Sequence, residues 1–137
     1  AEHRYLTFGN ELKFKVPKNE YETVILFSAL IASKSLPMHH FEIHEYESLE
    51  GIDSICSYKI EKDDVLKNKV AVEFEYKFGN FFKHGHPKQH VELIICWVID
   101  VKKRDLTNTN YPWLFKVETE NGILLLVEIS SFGIEEL

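Results

Sequence analysis

Apolar and polar residues alternate through Glu11–Val16, with Leu12, Phe14 and Val16 on one side and Glu11, Lys13 and Lys15 on the other. That two-residue period is the mark of a half-buried strand. With the strand-like run Arg4–Phe8 and the intervening Gly9-Asn10, it predicts an N-terminal hairpin that Pro17 brings to an end. The period then changes. Asn19 is a favoured helix cap, and Glu22 follows three residues later, where it can return a bond to the cap. Tyr21, Val24, Ile25, Phe27, Ala29, Leu30 and Ile31 wrap most of the circumference of the helix so begun. The pattern predicts a central helix packed on a sheet, ending near Ser35 ahead of Pro37.

Three strands follow in quick succession, over residues 38–47, 52–60 and 69–78. Their short connections predict a meander. In the third, Val70, Val72, Phe74, Tyr76 and Phe78 share one face, and Ala71, Glu73, Glu75 and Lys77 the other. Residues 79–90 read as a loop with a short helix from Pro87. Leu93–Ile99 is continuously apolar, as suits a strand buried on both faces in a parallel pairing at the middle of a sheet. After a polar stretch, Trp113–Thr119 and Ile123–Ile129 form a second hairpin around Asn121-Gly122. The fold predicted is α/β. It has a mixed sheet of about four core strands in the order α-β-β-β-α-β, one central helix, and β-hairpins at both ends.

Composition sets bounds on this picture. The 137 residues are 45% hydrophobic and 28% charged, with 6 glycines and 4 prolines, which fits a single domain over 1–137 and excludes a disordered or collagen-like chain. The apolar runs are too short to span a membrane, so no membrane partner is expected. The net charge of −6 speaks against a broad basic face, so any contact with DNA would use a local patch, a bound metal or a partner. Cys56 and Cys96 each sit in an apolar run and read as buried free thiols; with no recognisable secretory leader, a reducing, cytoplasmic setting is the expectation.

The chemistry lies with the acids. Glu73 and Glu75 stand at period two directly after Val70-Ala71-Val72, and Asp53 opens the preceding strand behind Gly51-Ile52. Charges alternating along one strand face usually mark a solvated face. If the two strands are neighbours, however, the three acids converge. Two carboxylates plus water make a hard oxygen site suited to Mg²⁺ or Mn²⁺. Such an ion polarises a phosphoryl oxygen and lowers the pKa of bound water.

This arrangement resembles the PD-(D/E)XK nuclease superfamily, the restriction-endonuclease-like fold, over about residues 19–99. Gly51-Ile52-Asp53 is similar to its first element. Its second element is matched by letter in Glu75-Tyr76-Lys77 and by context in Glu73-Phe74-Glu75, where glutamate replaces lysine. Phe81-Phe82-Lys83-His84-Gly85-His86, followed by Leu93-Ile94-Ile95-Cys96-Trp97, is similar to a largely uncharacterised group within it. The resemblance implies a Mg²⁺- or Mn²⁺-dependent nuclease acting on DNA, with Asp53 and Glu73 as metal ligands. Glu75 would orient water or recruit a second ion, with Lys77 as the cation in the other register. Glu22 would be the helix acid such proteins often carry, although a capping role suits it too. Many members are dimers, so a homodimer is compatible with it. A catalytically inactive module that binds nucleic acid or protein is the competing implication.

His84 and His86, with Lys83, are placed by this reading at the mouth of the carboxylate site, contacting substrate. His84-x-His86 with a third ligand from elsewhere could supply a zinc site, but no cysteine stands at ligand spacing, so this is the less favoured alternative. There is no phosphate-cradling glycine loop, nucleophile elbow or Cys-x-x-Cys pair, so P-loop hydrolysis, esterase chemistry and thiol redox chemistry lack support.

Overall fold

A computed structural model describes residues 4–8, 12–46, 54–79, 91–102, 106–119 and 122–136. The N-terminal hairpin is formed by β1 (Tyr5–Phe8) and β2 (Leu12–Lys15), paired antiparallel with Leu6 opposite Phe14. A short strand at the other end of the chain, β10 (Glu135–Glu136), adds to the free side of β1, making a small three-stranded sheet.

The helix α1 spans Glu20–Ala32. Asn19 is extended and accepts the Glu22 amide hydrogen on its side-chain oxygen at 2.9 Å, capping one of the orphan donors of the first turn. The return bond of Glu22 goes one residue further out, to the Lys18 amide at 3.2 Å. Leu26, Phe27 and Leu30 are fully buried, and burying each contributes roughly 1.5–3 kcal/mol. Not all of the apolar circumference is covered: Tyr21 and Ile25, four apart on the outer side, are 61% and 55% exposed.

The main sheet has seven strands in the order β3-β4-β5-β6-β9-β8-β7. The strands β3 (His40–Tyr46), β4 (Ser54–Lys59) and β5 (Lys67–Lys77) form the expected antiparallel meander. β6 (Leu93–Val98) runs parallel to β5, with Val72 opposite Leu93, and its all-apolar sequence follows from lying inside the sheet. The expected helical connection between them lies outside the described residues.

The C-terminal hairpin is not an addition to a four-stranded core. β8 (Leu114–Thr119) and β9 (Gly122–Glu128) extend the sheet, because β9 runs parallel to β6 on its other side, with Leu93 opposite Leu125. The two-residue β7 (Thr107–Asn108), within the expected polar loop, closes that edge against β8.

One face of the sheet carries the main core. There Leu26, Phe27 and Leu30 of α1 meet Phe41, Cys56, Tyr58, Val72, Phe74, Leu93 and Ile95. Phe27 stands edge-on to Phe41 at 4.8 Å and to Phe74 at 5.7 Å between ring centroids. A second cluster of Phe78, Ile94, Cys96, Phe115, Leu124 and Leu126 occupies the other face. Phe78 therefore does not share the face of Phe74, as alternation predicts. β5 ends at Lys77, so the period has stopped before Phe78 is reached.

Candidate functional site

Phe74 faces the helix, so its neighbours in β5, Glu73 and Glu75, face the opposite side of the sheet. Both are buried, at 1% and 3% exposure. Positions two apart on a strand stand about 6.6 Å apart along it, which leaves the two carboxyl groups in one neighbourhood. This is not the solvated face that alternating charge usually marks.

The rows across the sheet define their surroundings. Glu73 is opposite Ile94 of β6, and Glu75 is opposite Cys96, which is in turn opposite Glu128 of β9. A thiol thus lies between two carboxyl groups on three adjacent parallel strands. Cys96 Sγ donates to the Val127 carbonyl at 3.5 Å. Glu128 is buried at 2% exposure and is committed locally: its Oε2 accepts the Ile99 amide hydrogen at 2.6 Å, and its Oε1 accepts the Ser131 hydroxyl at 2.5 Å. Sequence reasoning passed over Glu128, although an acid closing the apolar run Ile123–Val127 was a signal for a buried carboxylate.

The other predicted residues separate into groups. Asp53, Lys83, His84 and His86 lie outside the described residues. β4 enters the sheet at Ser54, which pairs with Val72, the residue before Glu73. Lys77 is exposed at the end of β5, its ammonium 5.7 Å from the centroid of the Tyr76 ring. Glu22 stands apart from Glu73 and Glu75, because its helix covers the opposite face of the sheet. It pairs with Lys15 at 3.1 Å, and the hydrogen bond from that ammonium holds its carboxyl below the usual carboxylate range.

On the face of the acids, towards the edge strand β3, lies a second polar group. Ser57 is buried, and its hydroxyl donates to Asn68 Oδ1 and accepts the Lys69 amide hydrogen, each at 2.9 Å. Its remaining lone pair meets His44 Nε2 at 2.7 Å, so the histidine is the donor and carries its hydrogen on Nε2. The group fills a break in strand register beside Lys69, whose φ of 52° is left-handed. It stabilises the bulge.

Among the described residues no three His, Cys, Asp or Glu side chains come together as a metal-binding group. What β5 offers is a pair of carboxylates. That donor set suits Mg²⁺, which is held by one or two carboxylates and keeps its other positions for water and substrate phosphate. Compared with family descriptions, characterised proteins and solved structures, the chain matches none.

Proposed function

We propose that the protein is a metal-dependent nuclease of the PD-(D/E)XK type, with a restriction-endonuclease-like core, that hydrolyses DNA phosphodiester bonds. The observation that carries the reading is the burial of Glu73 and Glu75 together on one face of β5, the last strand of an antiparallel meander that a parallel strand follows. The helix, meander and parallel strand, in that order, support it.

Glu73, with Asp53, would hold Mg²⁺ or Mn²⁺, and Glu75 would orient water or take part in holding a second ion. When bound, the ion supplies neutralising charge at the phosphate and an acidified water. The chain's own contribution is to hold the carboxylates on a strand inside the sheet, buried and with Ile94 opposite Glu73 as an apolar neighbour, so that few waters compete for them. Backbone phosphate would be met by His84, His86 and Lys83.

A catalytically inactive nucleic-acid- or protein-binding module on the same fold is the second reading. Glu75 at the position where the motif more often has lysine, and the net charge of −6, favour it.

Calorimetry with Mn²⁺ on the wild type, Asp53→Asn, Glu73→Gln and Glu75→Gln tests the site, and cleavage of plasmid DNA in Mg²⁺ tests the chemistry. Saturable binding that Asp53→Asn and Glu73→Gln abolish, with cleavage lost in parallel, supports the enzyme. DNA binding without cleavage by the wild type selects the inactive module. Cleavage that survives Glu73→Gln and Asp53→Asn removes both from the reaction.

A further inference from the structure

A cavity of about 450 Å³ lies where α1 gives way to β3, on a different part of the molecule from the carboxylates of β5. Its floor is apolar: Ile31 and Leu36 are partly buried, and Met38 and Phe41 are each only 5% exposed. Its rim carries Lys34, His39 and His40. Among the described residues, no acidic side chain lines this cavity. Glu42 lies behind it, holding His40 Nε2 at 2.6 Å and so fixing that ring.

Lys34 is the residue to account for. The helix ends in a Schellman arrangement: the Lys34 amide donates to the Ile31 carbonyl at 3.1 Å, and the Ser35 amide donates to the Leu30 carbonyl at 2.9 Å. That geometry puts Lys34 in the left-handed region, with φ of 57°. Glycine is the residue that fits there without strain, and any side chain is a cost to the fold. A lysine at that position strains the backbone and places an ammonium beside an apolar cavity. The same two bonds occupy the Leu30 and Ile31 carbonyls.

We propose that this cavity binds a small amphipathic anion, a carboxylate carrying an apolar tail. The tail lies on Met38, Phe41, Leu36 and Ile31, and the carboxylate is met by the Lys34 ammonium and the His39 imidazole. The volume falls within the range of small-molecule sites.

Calorimetry with decanoate tests this, against decyltrimethylammonium as the same tail with the opposite charge and acetate as the head alone. Saturable decanoate binding is expected, about tenfold or more tighter than either control. Lys34→Gly is expected to weaken decanoate binding by about two- to fivefold, the range of an exposed lysine–carboxylate pair, while its melting temperature stays the same or rises. Lys34→Gln, which keeps a side chain in the strained position but removes the charge, is expected to lose as much affinity with no gain in stability. Equal affinity for the two decyl compounds overturns the proposal, as does wild-type affinity in both Lys34 variants.

Discussion

Phe27 of α1 and Phe74 of β5 meet edge-to-face with their rings 5.7 Å apart, and this contact fixes which way β5 faces. With Phe74 turned to the helix, the pleat sends Glu73 and Glu75 to the other side of the sheet. The hydrophobic effect thus orients the acids: slipping β5 by one residue would bring two carboxylates against Phe27 and put a phenyl ring where the carboxylates now lie.

Phe74→Ala is accordingly expected to destabilise by about 3–5 kcal/mol, a large part of the stability of an ordinary domain. Phe74→Leu keeps most of the volume and is expected to cost less than about 1.5 kcal/mol. Urea titrations followed by tryptophan fluorescence measure both. Equal losses would show that the contact does not depend on filling the site beside Phe27.

If Glu73 holds a divalent ion, Mg²⁺ stabilises the folded chain by mass action. For a site with Kd near 1 mM, 10 mM Mg²⁺ contributes about 1.4 kcal/mol, a rise of about 5 °C in melting temperature. Glu73→Gln is expected to abolish that rise. A Mg²⁺-induced shift of the same size in the variant would locate the ion elsewhere.

Glu128 is expected to be a structural carboxylate. Glu128→Ala leaves the buried Ile99 amide without its acceptor and is expected to cost roughly 1–3 kcal/mol, whereas Glu128→Gln keeps an oxygen for that bond and costs less. Metal binding is expected to persist in Glu128→Gln. Its disappearance there would extend the site along the row from Glu75 through Cys96 to Glu128.

Alkaline pH is expected to weaken the fold through the main core. Burial pushes the Cys56 thiol up from 9.0 to about 11, against an opposing hydrogen bond with Ser54. Burial likewise pushes the Tyr58 hydroxyl up from 10.0 to about 12, with a smaller contribution from the charge of Glu92. Both groups bind their protons more tightly folded than unfolded. Their contribution is therefore complete below pH 9 and declines as pH rises through 11 and then 12, at up to about 1.4 kcal/mol per pH unit for each proton. Urea midpoints between pH 8 and pH 11 report the decline. Cys56→Ala is expected to flatten its first part, and an unchanged slope in that variant would sink the assignment to Cys56.

The order of the elements was legible because each rests on neighbours in sequence. Asn19 and Glu22 announced the helix, and Glu11–Val16 the second strand. The same alternation put Glu73 and Glu75 together on one face. Their burial was not legible, since it depends on what the rest of the chain lays over that face. Nor was the width of the sheet. The Trp113–Ile129 segment reads as a self-sufficient hairpin, and nothing local says that Leu125 will pair with Leu93, a parallel contact between distant strands. Phe78 was misassigned for a local reason: alternation predicts faces only while the strand lasts.

The pairing of Leu6 with Glu136 joins positions about 130 residues apart, and the Arg4 guanidinium grips the Glu136 carboxylate beside it. So long a loop is entropically costly to close, and among the described side chains of the small sheet only Leu6 is buried. This latch is expected to shut last in folding and to open first in the native state. Its amides would then exchange with solvent by local opening at rates well above those of β6, whose amides would exchange only when the whole molecule unfolds. A label attached beyond either end of the latch would therefore sense this local breathing while the seven-stranded sheet stays intact.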